Sequence, residues 1–169
     1  MIKLRQILIK IAIFILGGII GFGVFYFLRM QQLEEENINK VRLVSSMVKA
    51  ELSLAELDKG NCELAIKYKW KPDAIAKAFA ADRDTSFSHI DAFQMVTLNA
   101  EVMKSFEEFY YVKKMCNAWR KRTIAMIYER PDSISREHAL VGYSSDLDLL
   151  MKKSVMLVQV IQKHYPNQN

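Results

Sequence analysis

The sequence predicts an all-α protein: an amino-terminal transmembrane helix followed by an antiparallel bundle of about four helices on the far side of the membrane. Three observations carry this. One unbroken apolar run stands near the amino terminus, apolar residues elsewhere recur at helical spacing, and only one short stretch alternates as a strand would.

Residues 11–28 hold no charged or strongly polar side chain. At about 1.5 Å per residue, that run spans roughly 27 Å of helix, close to the hydrocarbon thickness of a bilayer. Lys10 can extend its stem toward the headgroups, and Phe22, Phe25, Tyr26 and Phe27 form an aromatic belt at the other end. Lys3, Arg5 and Lys10 precede or open the span, whereas Arg29 and the acidic Glu34-Glu35-Glu36 come after it. This asymmetry predicts a cytoplasmic amino terminus in a bacterial inner (plasma) membrane, with the carboxyl domain periplasmic or extracellular. The competing reading is a signal peptide cleaved near Gly21-Phe22-Gly23, but the apolar run continues past that site. Gly17 and Gly21 form a GxxxG pair, a candidate for homodimerisation through the membrane helix.

The formal charge of +5 is concentrated at this end. Residues 1–29 carry four basic groups and no acid, leaving 20 basic against 19 acidic groups in residues 30–169. The basic character belongs to the anchor, so nucleic acid is not an expected partner. The expected organisation is a cytoplasmic stub and anchor over 1–29, a bundle domain over 30–165 and a frayed tail over 166–169.

Gln31 to Leu57 reads as one helix. Val41, Val44, Val48, Leu52 and Ala55 make one stripe, and Leu43, Met47, Leu54 and Leu57 a second beside it. Two stripes predict a helix covered over much of its girth. Asp58-Lys59-Gly60-Asn61 reads as its end, with Gly60 at the left-handed C′ position and Asn61 capping the next helix. Gly60-Asn61 with Ala65-Ile66 after it resembles the inter-helix turn of tetratricopeptide repeats, but over a single unit with no second copy, so the resemblance implies no function.

Residues 61–72 alternate apolar Leu64, Ile66, Tyr68 and Trp70 with Lys67, Lys69 and Lys71. Taken alone this is a strand period, but no second segment could pair with it. Asn61, Glu63 placed four residues ahead of Lys67, and Pro72 favour a short helix ending by Pro72. Its Lys67, Lys69, Trp70 and Lys71 form a candidate partner surface.

Pro72-Asp73 opens a further helix. Residues 82–88 read as a turn, and Ser88 to Asp91 as a capping-box start for a long helix running to about Glu129, with a bend near Asn117. Its stripe is Phe93, Val96, Ala100, Met103, Phe106 and Tyr110, continued by Met115, Trp119 and Ile127. Lys113, Lys114, Trp119, Arg120, Lys121 and Arg122 make a basic segment, a candidate for anionic headgroups or an acidic partner. After Arg130-Pro131 come a short helix over 135–141 and a last helix over 145–164. The last carries Leu147, Leu150, Met151, Ser154, Leu157, Val158, Ile161 and Tyr165.

Cys62 and Cys116 are the only cysteines, and in an oxidising compartment they are a disulfide candidate. His89, His138 and His164 share no motif, and neither cysteine has a ligand-spaced neighbour. The sequence therefore implies no metal, no cofactor and no catalytic constellation. The expected function is a non-enzymatic, membrane-anchored binding or scaffold protein of a bacterial cell envelope, with lipid bilayer and another envelope protein as partners. The alternatives are a small-molecule-binding or sensor bundle and a phage-type spanin subunit.

Overall fold

A computed structural model describes residues 2–79, 98–130 and 132–166. The described residues are helical with no strand: α1 Ile2–Lys67, α2 Pro72–Phe79, α3 Ala100–Glu129 and α4 Ser133–His164. Contacts divide the chain into two units, Met1–Asn39 and Lys40–Asn169.

In the first unit, every side chain from Phe14 to Leu28 is exposed, Phe14 at 83%. This is the one described helix long and apolar enough to cross a membrane. Among the described residues this segment keeps its apolar surface open, as expected of a helix solvated by lipid.

The second unit is a bundle built on α1 from Lys40 onward, α3 and α4. Each helix buries a seam whose steps alternate between three and four residues. On α1 the seam is Val41, Val44, Val48, Glu51, Ala55, Asp58, Cys62 and Ala65. On α3 it is Val102, Phe106, Phe109, Lys113, Cys116, Arg120, Thr123 and Ile127. On α4 it is Leu140, Tyr143, Leu147, Leu150, Ser154, Leu157 and Ile161. A sustained 3.5-residue period is the pattern of helices packed at shallow angles in a left-handed sense. The expected α4 stripe lies on this seam or beside it, each member buried or half-buried.

Side-chain pairs set the directions. Along α3, Glu101, Glu108 and Cys116 meet Lys163, Lys153 and Asp146 of α4, so these two helices are antiparallel. Along α1, Asp58 meets Tyr143, and beyond the helix Trp70 meets Arg136, so α1 and α4 are antiparallel too. Hence α1 and α3 run parallel, an arrangement that a sequence of simple hairpins does not give. The connection between Lys67 and Ala100 therefore begins and ends at opposite ends of the bundle. Within that connection, α2 buries Ile75 and Phe79, and the Phe79 ring meets Tyr143 edge-on at 5.7 Å.

Several expected boundaries are corrected. The helix does not end at Gly60: α1 continues through Lys67. A mid-helix glycine costs about 1 kcal/mol relative to alanine, and burial of Cys62 and Ala65 one and two steps further along the seam outweighs it. The alternating stretch is therefore the last two turns of α1, not a separate helix. The stop lies at Lys69, whose φ of 49° is the only positive value among the described non-glycine residues. Lys69 N donates to Ile66 O and Trp70 N to Ala65 O, the paired bonds of a Schellman end.

The second α1 stripe is split: Leu43 and Leu57 remain 53% and 56% exposed, whereas Met47 and Leu54 are half-buried, Met47 against the core. The short and last helices are one, α4, whose seam passes Gly142 without a break. Asp132 caps it, Oδ1 accepting from Ser135 N at 2.8 Å. Asn99 caps α3, Oδ1 accepting from Glu101 N at 2.8 Å. The expected start at Ser88, with Phe93 and Val96, lies outside the described residues, as do His89 and residues 167–169. Within α3 the seam differs from the expected stripe: Ala100 and Trp119 face outward, whereas Val102, Phe109 and Cys116 face in.

Candidate functional site

Among the described residues, the interior of the bundle holds four charged ones. Glu51 and Asp58 come from α1, Lys113 and Arg120 from α3, each 5% exposed or less. They occupy seam positions seven residues apart on each helix, so the acids of α1 face the bases of α3. Lys113 Nζ lies 2.7 Å from Glu51 Oε1, with side chains 4% and 6% exposed. Such a pair holds its geometry tightly because leaving either partner alone in this environment is costly. One layer further, Tyr143 of α4 donates its hydroxyl proton to Asp58 Oδ2 at 3.0 Å. Burial, and then the Asp58 charge, push the Tyr143 hydroxyl well above its ordinary pKa. Arg120 shares with Asp58, Asn117 and Tyr143 a cavity of 20 Å³, room for one water molecule and too small for a ligand.

Cys62 and Cys116 flank this layer as free, buried thiols. Burial raises each to a pKa of about 12, and Cys116 Sγ–H donates to Asp146 O at 3.2 Å. The disulfide is thus corrected by register. With Glu51 level with Lys113, Cys116 is level with residue 54, and Cys62 lies eight residues further along α1 (62 − 54), about 12 Å of rise. A bridge needs Cα atoms within about 7 Å.

The basic segment of α3 divides in two. Lys113 and Arg120 point into the core, while Lys114, Trp119, Lys121 and Arg122 stay on the surface. Arg122 stacks over Trp119 at 4.9 Å and Lys114 over Tyr110 at 4.6 Å. Helical spacing brings Lys113 and Arg120 onto the seam, a signal that the count of basic residues hides. Gly17 and Gly21 lie in the apolar segment, and a Cβ at either would meet nothing within 4 Å.

At the end of α1, Lys67, Lys69 and Lys71 are exposed around a half-buried Trp70, whose carbonyl accepts from Arg136 Nη1 at 3.1 Å. Trp70, Lys71, Ala74, Lys77 and Ala78 line an open apolar groove of 460 Å³. A second groove of 380 Å³ runs between α3 and α4, lined by Trp119, Met126, His138, Gly142, Ser145 and Asp146 among others. His138 and Asp146 lie eight residues apart on one helix, about 12 Å of rise, too far for a hydrogen-bonded relay with Ser145. No group of three metal-ligating side chains occurs among the described residues.

The residues that sequence reasoning missed are Glu51, Asp58 and Tyr143, which join the interior layer. Stepping the Val41-Val44-Val48 seam onward by three and four lands on both acids, and that is the signal that would have found them.

Comparison with protein-family models, with curated proteins and with solved structures returns no match to this chain.

Proposed function

We propose that the protein is a single-pass membrane protein of a bacterial cell envelope whose bundle is a non-enzymatic binding or scaffolding module outside the cytoplasm. The supporting observation is α1 itself. Its uncovered apolar segment and the first seam of the bundle belong to one helix without a proline between them. A module that shares its chain with an apolar anchor is suited to holding a partner at the membrane. The charge asymmetry around the apolar run supports the orientation. Alkaline phosphatase fused after Asn169 should be active and green fluorescent protein fused there dark; the opposite result places the bundle in the cytoplasm. In-cell crosslinking of the full chain should then recover a discrete envelope partner, and recovery of none would remove the scaffold reading.

A small-molecule reading draws on the α3–α4 groove, whose 380 Å³ is within the size range of ligand sites. A rise in melting temperature with an apolar ligand, abolished by Gly142→Leu, would favour it.

A further inference from the structure

We propose that this chain pairs with a second copy of itself along the outer face of α1, from Arg42 to Tyr68, as a parallel and in-register helix pair. A helix of a bundle uses one seam, and α1 carries two. The outer stripe has Leu43, Ala50, Leu57 and Leu64 at strict intervals of seven, all exposed, with Leu43, Leu57 and Leu64 at 53%, 56% and 42%. Met47, Leu54, Asn61 and Tyr68 fall between them at steps of four and three; Tyr68 is exposed, and the first three are half-buried along the edge where the stripe meets the bundle, Met47 against its core. This is a heptad with leucine at three d positions and a single asparagine among the a positions. In a parallel pair each residue meets its own copy, and an asparagine meeting asparagine fixes register and a two-stranded state.

The charges beside the stripe select the second copy and its direction. On α1 the row is Arg42, Lys49, Glu56 and Glu63, two bases and then two acids, all exposed. On α3 the exposed row that flanks the same face is Glu107, Lys114 and Lys121. The Glu51–Lys113 pair sets an offset of 62 between the helices, so these three are level with residues 45, 52 and 59 of α1. In a parallel in-register pair, Glu107 stands between Arg42 and Lys49 of the second copy, and Lys121 between its Glu56 and Glu63. Reversing one copy about residue 54 sets Glu107 near Glu63 and Lys121 near Lys49, two like pairs against the single unlike pair of Lys114 with Glu56, which disfavours that direction.

The surface between stripe and charges is also suited to close approach. Ser46, Ser53 and Gly60 occupy it at intervals of seven. Both serine hydroxyls donate back into their own helix, to Leu43 O and Lys49 O, so covering them strands no donor. A Cβ at Gly60 would meet nothing within 4 Å in the single chain, so packing there leaves the position open for a neighbour.

The test uses the full chain in detergent micelles and does not depend on which side of the membrane the bundle occupies. Sedimentation should show a dimer, and oxidation of Ala50→Cys or Leu57→Cys should give a covalent dimer while Lys152→Cys on α4 gives none. Leu57→Glu with Leu64→Glu should weaken dimerisation at least ~100-fold at unchanged helical circular dichroism. Glu107→Lys should weaken it as well, and adding Arg42→Glu and Lys49→Glu should restore it. A monomer, a dimer indifferent to Leu57→Glu and Leu64→Glu, or crosslinking at Lys152→Cys alone would overturn the proposal. So would a dimer that is lost on Gly17→Ile with Gly21→Ile yet never crosslinks at positions 50 and 57.

Discussion

Replacing Lys113 with methionine tests the account of the bundle interior most directly. The ammonium and the Glu51 carboxylate are 2.7 Å apart, with side chains 4% and 6% exposed, so water screens neither. The methionine side chain would fill a similar volume but leave the carboxylate buried without that cation. Breaking a buried pair in this way costs about 3–5 kcal/mol. A domain of this size has about 5–15 kcal/mol of stability, so the loss is a large share of the total. It corresponds to a fall in melting temperature of roughly 10–20 °C. Replacing both partners, Glu51→Leu with Lys113→Met, removes the stranded charge and should return stability to within ~1 kcal/mol of the parent or above it. Urea denaturation of the full chain in micelles, monitored by far-ultraviolet circular dichroism, reads parent, single and double variant alike. A single-variant loss below ~1 kcal/mol, the range of exposed pairs, would show that the pair is solvated. A double variant as unstable as the single would refute the reasoning as well.

Other outcomes rest on the same geometry. Tyr143→Phe removes the donor to Asp58 Oδ2 in the interior and should destabilise by about 1–3 kcal/mol in the same denaturation assay. Lys69→Gly relieves a left-handed backbone position at the end of α1 and should stabilise by ~1 kcal/mol. Asn99→Ala removes the cap of α3 and should cost ~1 kcal/mol. Both thiols stay protonated in the folded chain to about pH 12, whereas unfolded thiols ionise from the ordinary value of 9.0. Stability from this source is therefore full below pH 9 and falls as pH rises toward 12. Replacing both cysteines with alanine should flatten that slope by ~3 kcal/mol per pH unit, and at about pH 8 the native chain should resist alkylation until it unfolds.

The membrane-length apolar run and the helical class were legible because both rest on long, repeated patterns. The α4 stripe was legible for the same reason, since its period runs without a competitor. Gly60 misled because punctuation by glycine is a local preference of about 1 kcal/mol, and two further steps of seam outweigh it. The parallel course of α1 and α3 could not be read, because direction is set by which acid meets which base across helices, a non-local fact. Lys113 and Arg120 misled for a related reason. Counted with Lys114, Lys121 and Arg122 they look like a charged surface, and what sets them apart is that they fall on the same seam as Phe106, Phe109 and Cys116, opposite Glu51 and Asp58.

That match bears on why the interior is polar at all. On α1 the inner seam sets Glu51 and Asp58 among three valines, Cys62 and two alanines, while the outer stripe sets four leucines and Met47 among Ala50, Asn61 and Tyr68. By hydrophobicity alone the outer stripe is the better core, and the helix would turn it inward. It does not, because Lys113 and Arg120 on α3 require acids opposite them, and of these two stripes only the inner seam carries acids, at that spacing. The buried charges thus select which face of α1 is spent on its own bundle, and at which register. A polar layer chosen for specificity is compatible with the lower stability it brings. The double variant Glu51→Leu with Lys113→Met separates the two roles. Its midpoint in urea should hold or rise, while its hydrogen-exchange protection should become uneven as α1 rotates between its two stripes. Uniform protection in that variant would mean that packing, and not charge, chooses the face.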